Sequence, residues 1–424
     1  MSAEETMGDN EEMAGEYDTL ITEGRKNNFC MIFLKVFAVV LLVGAVCASL
    51  FSKYDTWKPF DPKEECDLSV GEWIPNPAGP AYTNETCLHI QPYTNCLKNG
   101  RPDKDYLYWK WKPSACDLPP FDPLLFLNIM RDKSWAFIGD SIFRNHAQSF
   151  ICLLSKVAEP YDVFHDETFS TRTWYYPSYN FTLYIIWSPF LVQNEISEFQ
   201  GDGPQTRIHV HLDILDSKWT TMYNMFDYVV LSGSQWFYKS SIMIEDNQVI
   251  GCHNCPFGNI KELGVETPYR KALQLTFKFI TTSKNKPFVF LRTWTPSHYE
   301  NGDWPNERIC NRSKPFTKGQ ISGDLTDLKM RGIELEEFKK AATTGARNGV
   351  KIKLFDTYPI SLLRPDGHPG PYKNFHPFDG KNQNVENDCI HWCLPGAIDT
   401  WNDMLMKMVI SGYDHDSISA SSRI

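Results

Sequence analysis

One run, Trp135-Ala-Phe-Ile-Gly-Asp-Ser-Ile-Phe-Arg-Asn145, constrains this chain more than any other. Trp135 to Ile138 is apolar throughout and short, which is the pattern of a buried strand. Gly139-Asp140-Ser141 breaks the run, and from Ile142 apolar residues recur at helical spacing through IFRNHAQSFICLLSKV. A serine on the turn between a buried strand and the next helix stands at the carboxyl edge of a parallel sheet. There its hydroxyl is exposed, and the helix N-terminus can stabilise a developing oxyanion. The plainer role for the same residues is that Asp140 or Ser141 caps the helix.

A second stretch, near the other end, favours the chemical role: Asp388-Cys389-Ile390-His391-Trp392-Cys393-Leu394-Pro395-Gly396. Asp and His three apart share one face of a helical turn. Asp388 can hold one nitrogen of His391 while the other faces a serine hydroxyl, which is the base and orienter that a Ser141 nucleophile needs. Asp366-Gly-His368 offers a competing base, but Pro365, Gly367, Pro369 and Gly370 make that stretch a loop.

An early Gly-Asp-Ser with a late Asp-x-x-His is similar to SGNH/GDSL-type esterases. The words GDSIFRN, TWTPSHYENGDW, RPDGHPGPY and DCIHWCLPGAIDTWNDML together resemble the plant trichome birefringence-like family of cell-wall polysaccharide O-acetyltransferases, from about Cys66 to Met408. The resemblance implies an α/β fold with an SGNH/GDSL-like three-layer parallel sheet, a catalytic set of Ser141, Asp388 and His391, and an acetyl donor such as acetyl-CoA as co-substrate. No bound cofactor is expected. It also implies oxyanion donors from the backbone N–H of Ser141 and from two later loops, Leu231-Ser-Gly-Ser-Gln-Trp-Phe237 and Arg292-Thr-Trp-Thr-Pro-Ser-His298. Where the family has Gly before His or Gln and then Trp, this chain has Ser234, with Gly233 one residue earlier and Gln235 keeping an amide donor. Arg292 is read as binding donor or acceptor, with a buried ion pair as its alternative. Arg364 and His368 are read as shaping the substrate pocket.

A net charge of −10 removes the electrostatic footprint of a nucleic-acid binder. Ten cysteines follow residue 51, with sequons at Asn84, Asn180 and Asn311, and together they point to an oxidising, glycosylating compartment. Zinc held by Cys252-His-Asn-Cys255 or Cys389-x-His-x-Cys393 is the rival, but neither has the spacing of a standard finger. Spacing does not determine connectivity. Cys66–Cys116 and Cys87–Cys152 are the pairings expected for the N-terminal part, and Cys310 and Cys252 or Cys255 are the partners expected for Cys389 and Cys393.

In order, residues 1–28 are an acidic tail expected to be disordered. Residues 29–51 are almost wholly apolar and long enough to span a bilayer, with Lys35 able to snorkel. Arg25, Lys26 and Lys35 place the N-terminus in the cytosol, against the counterweight of Lys53 and Lys58. The alternative, a signal peptide cleaved near Val46-Cys-Ala48, fits the long run less well. A stem (52–65) leads to a Cys- and Trp-rich domain (66–123), in which Tyr106, Tyr108, Trp109 and Trp111 are candidates for a sugar platform and at least two are expected to be packing residues. The acyltransferase domain covers 124–412, and a tail covers 413–424. Strands are expected at Trp135–Ile138, Phe181–Trp187, Tyr228–Leu231, Phe288–Leu291 and Ile352–Phe355. Helices are expected after Ser141, at Tyr269–Thr281, Glu334–Asn348 and Pro395–Ile410, and a loop over Asn194–Gln205.

The residues alone give a serine acyl-transfer site; the resemblance implies a Golgi-membrane O-acetyltransferase acting on a wall polysaccharide. GCHNCP and Gln-Trp-Phe resemble the branch linked to hemicelluloses such as xyloglucan or mannan. A carbohydrate esterase with the same triad, or a polysaccharide-binding protein with a vestigial site, are the other two readings.

Overall fold

The computed structural model describes residues 66–421, apart from 202, 234, 256–258, 301–308, 318, 321–323 and 381–384. The expected tail, anchor and stem thus lie outside the described residues. Among those described, no helix is long and apolar enough to cross a membrane.

The strands are β1 (Gly71–Pro75), β2 (Trp109–Pro113), β3 (Ser134–Gly139), β4 (Tyr161–His165), β5 (Arg172–Tyr176), β6 (Phe181–Trp187), β7 (Val192–Gly201), β8 (Gly203–Leu215), β9 (Tyr228–Leu231), β10 (Ser241–Glu245), β11 (Gln248–His253), β12 (Phe288–Arg292) and β13 (Ile352–Phe355). The longer helices are α1 (Pro123–Ile129), α2 (Ser141–Leu154), α3 (Glu266–Thr282), α4 (Leu325–Asn348) and α5 (Asp399–Ser421). Every expected strand is present to within a residue at each end. Helix α4 starts nine residues before the expected Glu334, and α5 runs on from the expected end at Ile410 into the segment read as a tail.

The main sheet has the order β13-β12-β9-β3-β6-β5-β4. Its first five strands are parallel, and β5 and β4 are antiparallel additions, so the expected all-parallel sheet is in fact mixed. The cause is local. Only Pro177–Asn180 joins β5 to β6, with Asn180 left-handed at φ 45°, and so short a link permits a hairpin but no crossover.

Strand periodicity sends alternate residues to opposite faces. Trp135 and Phe137, with Val230, Phe290 and Phe355, pack among Phe150, Trp401 and Leu405 of α2 and α5. Ala136 and Ile138, with Val229, Leu231 and Leu291, pack among Tyr269, Leu273 and Ile333 of α3 and α4. Helices therefore cover both faces, giving the expected three layers. A second sheet has the order β11-β10-β8-β7. It absorbs the 194–205 stretch that reads as a loop: β8 buries Ile208, Val210 and Leu212 at alternate positions, and β7 pairs with it.

From Cys66 on, the chain forms a single compact unit. Strands β1 and β2 pair, Trp73 meets Trp111 edge-on at 5.7 Å, and the Trp73 indole N–H donates to the Ile360 carbonyl at 2.9 Å. Tyr106 and Trp111 are buried packing residues, whereas Tyr108 is exposed. The ten cysteines form five disulfides. Cys66–Cys116, Cys87–Cys152 and Cys310–Cys389 are as expected. Cys393 instead bonds Cys96, and Cys252 bonds Cys255, which corrects the partners expected for Cys393. The reason is that the segment around Cys96 packs against the 366–394 region. The Leu394 N–H donates to the Thr94 carbonyl at 2.9 Å, and Arg101 donates to the carbonyls of Asp366 and His368.

Cross-links stabilise more when they close longer segments, by about 2–5 kcal/mol for a native bond. Cys96–Cys393 spans 297 residues and Cys252–Cys255 spans three. Calorimetry should therefore show Cys96→Ser lowering the unfolding midpoint by several degrees, and Cys252→Ser by much less. Equal losses would contradict this.

Candidate active site

The sheet places Ser141 where such folds bind ligands. From β3 the chain moves to β6 on one side and then to β9 on the other, so a crevice opens beyond the carboxyl end of β3. Gly139 is required there, because a Cβ would lie 2.7 Å from the Phe143 ring. Asp140 caps α2, accepting from the backbone N–H of Ile142 at 3.0 Å and of Phe143 at 3.4 Å. Capping thus falls to Asp140, and half-buried Ser141, the first residue of the helix, is not needed for it.

The late turn is built around one carboxylate. Asp388 Oδ1 accepts from the backbone N–H groups of Ile390 at 3.1 Å and His391 at 2.9 Å, while Oδ2 lies 2.7 Å from His391 Nδ1. Burial alone would raise the Asp388 carboxyl. The His391 imidazole and the two backbone donors outweigh it and hold the group well below the usual carboxylate range. With Nδ1 on Asp388, His391 presents Nε2, which is buried and has no hydrogen-bond partner among the described residues. The Tyr93 ring from the Cys-rich segment stands edge-on to this imidazole at 5.4 Å.

Asn145, one turn after Ser141, joins the two stretches. Its Oδ1 accepts from the Trp392 N–H at 2.7 Å, and its Nδ2 donates to the Trp392 carbonyl at 3.1 Å. The helix that Ser141 begins is thereby clamped to the residue after His391. Asn145 lies inside the run that opened the sequence argument, but nothing in its spacing showed its partner.

His368 serves as a prop for this turn. Its Nδ1–H donates to the His391 carbonyl at 2.7 Å, its Nε2 lies 2.7 Å from His298 Nδ1, and its ring packs 4.3 Å from Trp392. Burial lowers both imidazoles, His298 to about 4. Asp366 cannot orient His368 as a base, because Arg364 occupies its carboxylate at 2.8 and 2.9 Å. Arg364 also donates to the Tyr106 carbonyl at 2.7 Å, lies 4.3 Å from the centre of the Trp73 ring and is fully buried. The pocket-shaping role read for Arg364 is corrected: it fastens the Cys-rich segment to the domain.

The loops after β9 and β12 meet beside this site. Gly233 packs so closely on Tyr269 that a Cβ would fall 1.9 Å from its hydroxyl, while Ser234 lies outside the described residues. Gln235 Nε2 donates to the Thr295 carbonyl at 2.7 Å, so one of its amide hydrogens ties the two loops together. Arg292 is 1% exposed, donates to Ser232 Oγ at 3.3 Å and sits 4.1 Å from the centre of the Phe143 ring. With no face toward solvent it is an internal cation, a correction to its reading as a substrate ligand. Burial lowers it to about 10, while Asp140 and Glu334 pull the other way.

Helix α4 braces both loops through two carboxylates that sequence reading missed. Asp327 accepts from the Tyr238 hydroxyl and the Trp294 indole N–H, each at 2.8 Å. Glu334 accepts from the Tyr269 hydroxyl and, at 2.7 Å, from the Trp294 backbone N–H. Burial raises Glu334 to about 8. The signal for both was an acidic residue among apolar ones on the inward stripe of a helix.

A carboxyl held below its unfolded value stabilises the fold above about pH 4 and loses that contribution as pH falls through its folded value. Asp388→Asn should therefore lower the unfolding midpoint at neutral pH, and the deficit should close progressively in acid. A deficit that stays constant from about pH 6 down to about pH 2 would contradict the Asp388–His391 ion pair.

Comparison with known proteins identifies the family. Residues 118–408 match the PC-esterase model, described as a GDSL/SGNH-like acyl-esterase family found in Pmr5 and Cas1p, and residues 64–117 match the PMR5 N-terminal domain. The chain is 53% identical over 355 residues to trichome birefringence-like protein 25 of Arabidopsis thaliana, a match covering 82% of this chain and 77% of that one. It is 41% identical to xyloglucan O-acetyltransferase 1 of Arabidopsis thaliana, covering 81% and 80%, and 39% identical to xyloglucan O-acetyltransferase 1 of Populus trichocarpa, covering 88% and 87%. The chain belongs to the PC-esterase family, as a trichome birefringence-like protein whose PMR5 N-terminal domain precedes a GDSL/SGNH-like acyl-esterase domain.

Proposed function

We propose that this protein is a wall-polysaccharide O-acetyltransferase working through an acetyl-Ser141 intermediate. One observation carries the reading: His391 is locked to Asp388 through Nδ1, keeps Nε2 free of any hydrogen bond among the described residues, and is clamped by way of Asn145 to the helix that begins at Ser141. In the first half, Ser141 Oγ attacks the acetyl carbonyl and Nε2 takes its proton. The carbon–leaving-group bond breaks, and the leaving group receives that proton. In the second half a sugar hydroxyl attacks the acetyl-serine and gives its proton to Nε2. The ester passes to the sugar, and Ser141 recovers its hydrogen from His391. The backbone N–H of Ser141, at the amino end of α2, and a donor from the Gly233–Gln235 loop would stabilise the oxyanion.

Relatives named xyloglucan O-acetyltransferase support transfer over hydrolysis and a hemicellulose acceptor such as xyloglucan or mannan. The donor would be an activated acetyl compound such as acetyl-CoA. The apolar 29–51 segment and the five disulfides support a type II anchor in the Golgi membrane with a luminal catalytic domain. Glycan on exposed Asn180 or Asn311, or on half-buried Asn84, is expected with it. A mobility unchanged by glycosidase, in a protein that washes off membranes in alkaline carbonate, would contradict that placement.

The function is tested by incubating the full chain with acetyl donor and a panel of oligosaccharides, then weighing the products by mass spectrometry. Acetylated hemicellulose oligomers are expected. Ser141→Ala and His391→Ala should each cut the rate about 10⁴-fold or more, because such residues act as a unit. His368→Ala should slow turnover without abolishing it, because it loosens the base and takes no proton. A wild-type chain that only deacetylates would make it an esterase.

A further inference from the structure

The carboxyl edge of the main sheet carries, beside Ser141, a feature the mechanism does not use. Trp187 ends β6 in register with Gly139 of β3, and Trp236 follows β9, whose Leu231 is in register with Ile138. Adjacent strands lie about 4.8 Å apart, so Trp187 stands next to the turn that bears Ser141, and Trp236 is brought to the same edge by its contact with Trp187. The two half-buried rings meet edge-on at 5.3 Å. Each ring carries a cation: Arg144 Cζ lies 5.0 Å from the centre of the Trp187 ring, and Lys239 Nζ lies 3.6 Å from that of Trp236.

These two cations differ from their neighbours. Arg172 is paired with Asp162, and His89 with Glu159 at 2.9 Å. Among the described residues neither Arg144 nor Lys239 has a carboxylate within ion-pair distance. Arg144 is half-buried, its Nε is sealed from solvent without a partner, and its one polar side-chain contact is Ser170 Oγ at 3.4 Å. An acidic protein that keeps two uncompensated cations beside its nucleophile holds them for an anion. The indole faces are capped by charge, so the feature offers a neutral sugar little bare ring to stack on. It offers an anion two donors whose hydration is already reduced by aromatic backing.

We propose that Arg144 and Lys239, backed by Trp187 and Trp236, bind the phosphate-bearing part of the acetyl donor and deliver its acyl carbon to Ser141. The inference rests on the acetyl-transfer reading and adds to it the donor's chemical class, a phosphorylated thioester, and the place where it docks.

The test is calorimetric titration of the detergent-solubilised full chain with coenzyme A, and separately with pantetheine, which has the same thiol arm without phosphate. Coenzyme A should bind wild type. It should lose about tenfold in affinity in either Arg144→Gln or Lys239→Gln, as expected for one charge-assisted hydrogen bond, and more in the double variant. Lys239→Arg should retain binding, and added salt should weaken it. Pantetheine should bind weakly and alike to all variants. Lys239 is exposed, so its replacement leaves the core intact, and an unchanged unfolding midpoint confirms that. The proposal is overturned if wild type does not bind coenzyme A or if both single variants bind it as well as wild type does. It is also overturned if the variants instead lose affinity for a uronic-acid oligosaccharide. A chain that binds coenzyme A through these cations yet moves no acetyl group to sugar defeats the transferase reading and leaves the subsite standing. Transfer that proceeds with an unchanged donor KM in the double variant does the reverse.

Discussion

The site depends on one amide side chain. Ser141 and His391 are 250 positions apart, and Asn145, one turn into the helix that Ser141 begins, ties that helix to the residue after His391 by taking both the N–H and the carbonyl of Trp392. Buried at 0% exposure, that pair of bonds fixes distance and orientation at once, which a single bond does not. Everything around it limits the same freedom. Cys310–Cys389 and Cys96–Cys393 anchor the turn on either side of His391, His368 holds its carbonyl, and Arg101 ties the Cys-rich segment to the carbonyls beneath. Because a base misplaced by an ångström costs orders of magnitude in rate, scaffolding of this kind on one turn suits the role of base proposed for His391.

The charges are arranged in depth. Nearest the chemistry, Asp388 is stabilised as an anion by the donors it receives, against the pull of burial. One layer down, Arg292 lies under Phe143, with Asp140 the foremost acid offsetting the burial that lowers it. One layer further, Glu334 and Asp327 hold the Trp294 loop by its backbone and its indole. In a medium of low dielectric each charge needs its partners. The buried groups therefore specify the two loops that border the site more sharply than apolar packing could. The Cys-rich segment takes part as well, through Tyr93 at His391 and through Arg364, which binds Asp366 and the Tyr106 carbonyl together.

The parallel strands and their order of appearance were legible, because runs such as Phe288–Leu291 are apolar throughout and punctuated by turn residues. The pairing of Asp388 with His391 and the place of Ser141 at the head of a helix were legible because each sits in a short pattern whose geometry is local. Strands β4 and β5 were missed: β4 is exposed along its whole length, and such a strand owes its shape to its neighbour rather than to its own periodicity. The β7–β8 hairpin was hidden by the acidic and glycine residues around its turn, although β8 itself alternates buried Ile208, Val210 and Leu212. Residues whose role lies in a distant partner were invisible. Arg364 read as shaping the pocket, and Arg292 as either a ligand for donor or acceptor or a buried ion-pair member, because an arginine near a catalytic motif gives no sign of whether it is buried. Cys393 found Cys96 because the fold lays one segment against the other, and spacing carries no trace of that.

The central claim is that Ser141 carries the acetyl group between donor and acceptor. The most direct measurement is to mix the full chain with acetyl donor and no acceptor, quench in acid within the first turnover, and sequence the peptides by mass spectrometry. The account predicts one acetyl group on the peptide containing Ser141, placed on that serine, and its disappearance when acceptor oligosaccharide is added before the quench. Acetyl transfer that proceeds at full rate while Ser141 stays unmodified throughout, or in a chain carrying Ser141→Ala, would contradict it.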